Sequence, residues 1–124
     1  MIDRMLLAQI IQGEAGTLGS IGMMAVALSL HCRIWQHGHT EDRIAREWYG
    51  RAEPGDVALM LADLVLEHRL PDNDYYFCMG GRVDVERFGW REGDAVCIVG
   101  EHSVHLYKEW PEEDDDSRTA DDNN

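Results

Sequence analysis

Cations are scarce in this 124-residue chain: Lys and Arg number 11 against 24 Asp and Glu, a formal charge of −13 with neutral His. A nucleic-acid partner is not expected, because phosphate binding needs neutralising cations. Docking on an anionic membrane is opposed for the same reason. No run reaches the roughly 18 apolar residues of a membrane span, so no membrane insertion is expected. The start, Met1-Ile2-Asp3-Arg4-Met5, lacks a basic segment leading into a long apolar stretch. That predicts synthesis in the cytoplasm without a signal peptide, so a target outside the cell would require a release step. Cysteine is thin as well. Cys32, Cys78 and Cys97 form an odd set without CxxC spacing and read as reduced thiols. There are no internal repeats. There is no phosphate-cradling loop either, since Gly13, Gly16, Gly19 and Gly22 follow a helix and not a strand.

What remains is enough for one core. Hydrophobic residues make up 44% of the chain, which excludes a fully disordered protein. We read residues 1–111 as one folded domain and 112–124 as an acidic disordered tail. The tail holds seven acids against Arg118 alone, a block that self-repels and keeps the chain soluble. Its alternative use is docking to a basic partner.

The first half of the chain reads helical and the last third reads as strands. Asp3 caps a first helix with Met5, Leu6, Ile10 and Ile11 on its apolar side. Gly13 and Gly16 end it, with Glu14 in the last turn or just beyond. Ser20 is the expected cap of a second helix, apolar nearly all round and hence central; Gly38 breaks it. Thr40 caps a short third helix, and Pro54-Gly55-Asp56 introduces a fourth from about Val57 to Arg69. Tyr75 to Met79 reads as a strand. Asp94–Val99 and Ser103–Trp110 form a hairpin about Gly100-Glu101, with Val104 and Leu106 on one face and His105 and Tyr107 on the other. The expected fold class is α+β, about four helices packed on a small antiparallel sheet.

Three groups of residues could carry chemistry. Glu14 faces the negative end of a helix dipole, which disfavours ionisation. Shelter by apolar neighbours would act in the same direction and produce a general acid. The bland alternative is a solvated helix-end carboxylate. The histidines come next. His37 and His39 share a loop, while His102 and His105 at i,i+3 on a strand point to opposite faces. Such spacing does not converge ligands, so no metal and no cofactor is expected. A metal-dependent hydrolase on His37, His39 and His102 would instead be sensitive to chelators. Third, Tyr75, Tyr76, Phe77, Trp90, Tyr107 and Trp110 gather in the sheet region, where aromatics stack on sugars or simply pack. Cys32, within an apolar helix, reads as core. Nothing marks Cys78 or Cys97 as activated.

Leu7-Ala8-Gln9-Ile10-Ile11-Gln12-Gly13-Glu14-Ala15-Gly16, followed by Gly22-Met23-Met24-Ala25-Val26-Ala27 and Arg33, resembles the opening of the cell wall hydrolase family of spore-cortex-lytic enzymes (SleB/CwlJ type). Ile44-Ala45-Arg46-Glu47-Trp48-Tyr49, the helix around Ala58 to Glu67, Tyr75-Tyr76-Phe77 and Gly100-Glu101-His102 follow in the family's order. The resemblance covers about residues 5–110. It implies a lysozyme-like fold and cleavage of the peptidoglycan glycan strand, with Glu14 as the catalytic acid. A single acid fits a lytic transglycosylase better than a two-carboxylate hydrolase. Tyr75, Tyr76 and His102 are the expected substrate contacts. The pattern is divergent and shortened. Leu18 replaces a second acid, Cys32 an Asn, and Cys78-Met79-Gly80 an aromatic-Asn-Pro sequence; Gly50 to Gly55 is all that remains of a longer segment. A single domain of this kind without a wall-binding module is consistent with a phage or prophage product. The alternative is a non-catalytic glycan-binding or phage structural protein that retains the fold.

Overall fold

The computed structural model describes residues 2–80, 92–99 and 102–109. Helix α1 spans Arg4–Ala15. Its N-cap is Asp3, whose Oδ2 accepts from the Leu6 amide at 3.2 Å. Leu7, Ala8, Ile10, Ile11 and Ala15 are buried, a stripe at helical spacing. A three-residue 3-10 turn, Gly16–Leu18, leads into α2, Gly19–His31. Gly19 has φ +71, a left-handed bend that glycine takes without steric cost. Helix α2 has no side-chain cap; Leu18 stands at the N-cap position, and Ser20 lies inside the first turn. The expected Ser20 cap is therefore corrected, because the glycine bend starts the helix two residues earlier.

Helix α2 buries residues around most of its circumference, from Gly22 to His31. It runs on as a π-helical turn, Cys32–Gln36, before Gly38 at φ +68 ends the run. Thr40 Oγ1 accepts from the Arg43 amide at 3.3 Å and starts α3, Glu41–Glu47. Helix α4, Asp56–Leu66, buries Ala58, Leu61, Ala62 and Val65. Strands β1 (Phe77–Gly80), β2 (Ala95–Val99) and β3 (His102–Tyr107) form an antiparallel sheet in the order β1-β3-β2. The register pairs Phe77 with Tyr107 and Ala95 with Leu106. The Gly100-Glu101 turn, Trp90, Trp110 and the tail 112–124 lie outside the described residues.

The chain is thus a mixture of helices with a small antiparallel sheet, α+β as expected. The packed helical layer is three helices, not four: α1, α2 and α4 contact one another. Helix α3 is two turns long and buries Ile44 alone. The larger core joins Leu7, Ile10, Ile11, Leu30, Leu61 and Val65. A smaller one joins Ala25 of α2 to Val104 and Leu106 of β3. The small Ala25 side chain lets the sheet approach α2, the helix through which the described sheet meets the helical layer. The helical run Arg4–Gln36 is long and apolar enough by composition to cross a membrane, although 56% of its most apolar window is buried inside the protein. The bend at Gly19 divides it into two helices packed on each other.

Candidate active site around Glu14

Glu14 occupies the last turn of α1, and its side chain is exposed. Among the described residues, no apolar shelter encloses it. Its Oε1 accepts from the Gly50 amide at 2.6 Å. Among the described residues, Oε2 accepts no hydrogen bond. Two further contacts lace the same loop to α1: the Ala52 amide donates to the Gln9 carbonyl at 3.2 Å, and the Gly55 amide to Gln12 Oε1 at 3.0 Å. Arg51 ties the loop to the end of α3 by donating to the Trp48 and Ala45 carbonyls at 2.6 and 3.1 Å. The contact is close enough to demand two glycines. A Cβ on Gly13 would collide with the Arg51 backbone nitrogen, and one on Gly50 would sit 2.7 Å from the Glu14 amide nitrogen and 2.8 Å from Oε1. The segment Gly50 to Gly55 is a clasp on the carboxylate. That partner was missed in the sequence; the pair of glycines flanking two separate motifs was the only signal for it.

A second group of polar residues is built on Arg33, which is 3% exposed. Its Nε donates to the Tyr76 carbonyl and one terminal nitrogen to Glu47 Oε1, both at 2.7 Å. The guanidinium lies over the Tyr76 and Trp48 rings, 4.1 and 5.1 Å from their centres, within cation–π range. Burial is the main influence on Arg33 and lowers its pKa; Tyr76 and Glu47 oppose it. Burial would raise the Glu47 carboxyl, but the Arg43 hydrogen bond and the charges of Arg33 and Arg43 hold it below its ordinary value. His39 is lowered by burial, then by Arg43 and Arg33; its Nε2 is 3.4 Å from the Tyr76 hydroxyl.

The expected substrate contacts are dispersed. One face of Tyr76 is covered by Arg33, and His37 and His39 stand edge-on to its ring. Tyr75 packs on the Ala25, Val104 and Leu106 cluster. No hydrogen bond or ring contact among the described residues links either tyrosine to Glu14. His102 opens β3, and its side chain lies outside the described part. Cys78 connects the two groups. Burial pushes its thiol up to about 12; the neighbouring Ser29 hydroxyl opposes this, the Glu14 carboxylate adds to it and Arg33 opposes it. Burial also raises Cys32. Neither thiol has the electropositive, accessible setting of a nucleophile.

His37 and His39 have ring centres 6.2 Å apart and both turn to Tyr76. A different set converges. His31, His68 and Asp72 each bring one ligand atom within 4.8 Å of the others. Hydrogen bonds from His68 and His31 hold the Asp72 carboxyl below its ordinary value. The signal for this set was His31 at the end of an apolar helix, a buried polar group that must find a partner. The chain matches no family model, no curated protein and no solved structure.

Proposed function

We propose that the chain cleaves the glycan strand of peptidoglycan, with Glu14 as its single acid and base on a lysozyme-like fold. The observation that carries this reading is the Gly50 amide on Glu14 Oε1 at 2.6 Å. The amide fixes the carboxyl group in one orientation and leaves Oε2 without a hydrogen bond among the described residues, open to a substrate. A carboxyl group held with one oxygen on the open side is the geometry that proton transfer to a glycosidic oxygen requires.

In this reading Glu14 protonates the oxygen between N-acetylmuramic acid and N-acetylglucosamine. The sugar's acetamido group stabilises the developing cation. Its 6-hydroxyl closes a 1,6-anhydro ring, and the ionised Glu14 takes up the hydroxyl proton. Atoms balance without water, and the same residue is restored to its starting state. Cleavage is tested by mass spectrometry of purified peptidoglycan digested with the wild type and with Glu14→Gln, which keeps the shape and removes the proton. Anhydro-muropeptides from the wild type and none from the variant are expected. Reducible ends lost in the same variant would replace the transglycosylase reading with a hydrolase.

One observation favours a second reading. Glu14 is exposed, and a non-catalytic glycan-binding or phage structural protein tolerates that. A wild type that co-sediments with peptidoglycan but releases nothing from several wall types would select it. Pull-down on the 112–124 peptide would then identify the basic partner.

A further inference from the structure

We propose that His31, His68 and Asp72 form a binding site for a divalent transition-metal ion of the zinc class. The three residues come from two segments: His31 ends α2, while His68 and Asp72, four residues apart, lie in the connection from α4 to β1. Both imidazoles aim Nε2 at one carboxylate oxygen, Asp72 Oδ1, at 3.1 and 2.9 Å. Two ligands on one tetrahedral ion at about 2.1 Å are about 3.4 Å apart. The two contacts are at hydrogen-bond length, and all three ligand atoms lie within 4.8 Å of one another, so an ion that replaces the shared proton contacts needs shifts of a few tenths of an ångström in these pairs. Two imidazoles and a carboxylate are the donor set that zinc and its neighbours take, and that calcium and magnesium do not prefer.

The arrangement is held in place by the chain itself. His68 has φ +55, the single positive φ outside glycine among the described residues. That conformation is uncommon outside glycine, and histidine is among the residues that adopt it most readily. Trp35 stacks on the His68 ring with centres 4.3 Å apart and planes within 5°, and its indole Nε1 donates to the Val65 carbonyl at 2.7 Å. Asn73 fastens the loop by donating from Nδ2 to the Leu28 carbonyl at 3.2 Å and from its amide to Gln36 Oε1 at 3.2 Å. His31 is fully buried, while the side chains of His68 and Asp72 are 44% and 64% exposed. The site thus has a fixed floor and an open side where water completes the coordination. The net charge of −13 draws cations to the surface.

The test is titration calorimetry of the chelator-stripped full chain with Zn2+, for the wild type, His68→Asn and Asp72→Asn. Asparagine tolerates the left-handed backbone at 68 and keeps the shape at 72. We expect one ion per wild-type chain and at least about tenfold weaker binding in each variant. Excess Ca2+ should leave the wild-type binding unchanged. Absence of binding overturns the proposal. So does binding that survives both variants, or that Ca2+ displaces, because the acidic residues 112–124 would then hold the ion. Should a variant fail to fold, the wild type alone decides. In spectra of the ring nitrogens, Zn2+ should shift two of the six histidines, His31 and His68. Shifts confined to the others, or none, overturn it.

Discussion

A guanidinium that is 3% exposed must find its partners inside the protein, because an unpaired buried charge is costly. Arg33 finds the Tyr76 carbonyl, the Glu47 carboxylate and the faces of Tyr76 and Trp48. These uses need a planar fork with donors at Nε and at a terminal nitrogen. A lysine has one donor centre and cannot reach the carbonyl and the carboxylate together. Arg33→Lys should therefore cost about 2 kcal/mol, the worth of one hydrogen bond to a charged group, read from the urea midpoint at unchanged slope. A loss under about 0.5 kcal/mol, the usual size of a surface substitution, would show that the fork is not used. The same reasoning applies to Gly50. A methyl there would sit 2.8 Å from Glu14 Oε1 and push the amide off the carboxylate. Gly50→Ala should lower glycan cleavage with the substrate supplied in excess, since it misplaces the acid. Full activity in that variant would mean that the Gly50 contact does not orient Glu14.

At the scale of elements, the end of α1 breaks a local rule for a tertiary reason. Glycine inside a helix is less favourable than alanine by about 1 kcal/mol, yet Gly13 lies in the last turn of α1. The loop explains it, because the Arg51 backbone occupies the space of a Cβ. Gly13→Ala should destabilise the protein by more than the propensity gain. A rise in melting temperature would show that the loop yields. Caps allow a paired test. Thr40→Ala removes the acceptor for the Arg43 amide and should cost about 1 kcal/mol. Ser20→Ala, inside the first turn of α2, should cost almost nothing. These differences mark what was legible in the sequence. Caps at Asp3 and Thr40, the central α2 and the sheet with Val104 and Leu106 inward follow from local chemistry and periodicity. The missing Ser20 cap, the clasp of Gly50 on Glu14 and the meeting of His31, His68 and Asp72 do not. Each depends on contacts between residues 36 to 41 positions apart or on a glycine bend, and periodicity carries no record of either. Glu14 was placed correctly in the last turn, but its exposure is set by packing around the turn.

For the molecule as a whole, two opposing electrostatic effects govern stability, and they separate by pH. His39 and His105 are both lowered from the ordinary 6.5 chiefly by burial. Below pH 6.5 the unfolded chain takes up protons that the folded chain refuses. Their contribution is therefore whole above that pH and is lost as pH falls through the folded values. Asp63 and Asp72 are lowered from 3.8, by Arg4 and by His68 and His31 respectively. Their contribution has the same sign but is lost only below about pH 4. The charge of −13 works the other way, since protonating acids relieves self-repulsion. Most acids remain ionised down to pH 5, so that relief arrives late. The melting temperature should therefore fall steadily from pH 7 to pH 5, and His39→Gln should flatten part of the slope. At pH 7, raising salt to about 0.5 M shortens the screening length below about 8 Å and should raise the melting temperature. Exposed pairs such as Arg4 with Asp63 lose little in exchange, because such pairs contribute little. Scanning calorimetry at three pH values and two salt concentrations checks both statements. A melting temperature that rises between pH 7 and pH 5 would mean that self-repulsion outweighs the buried histidines.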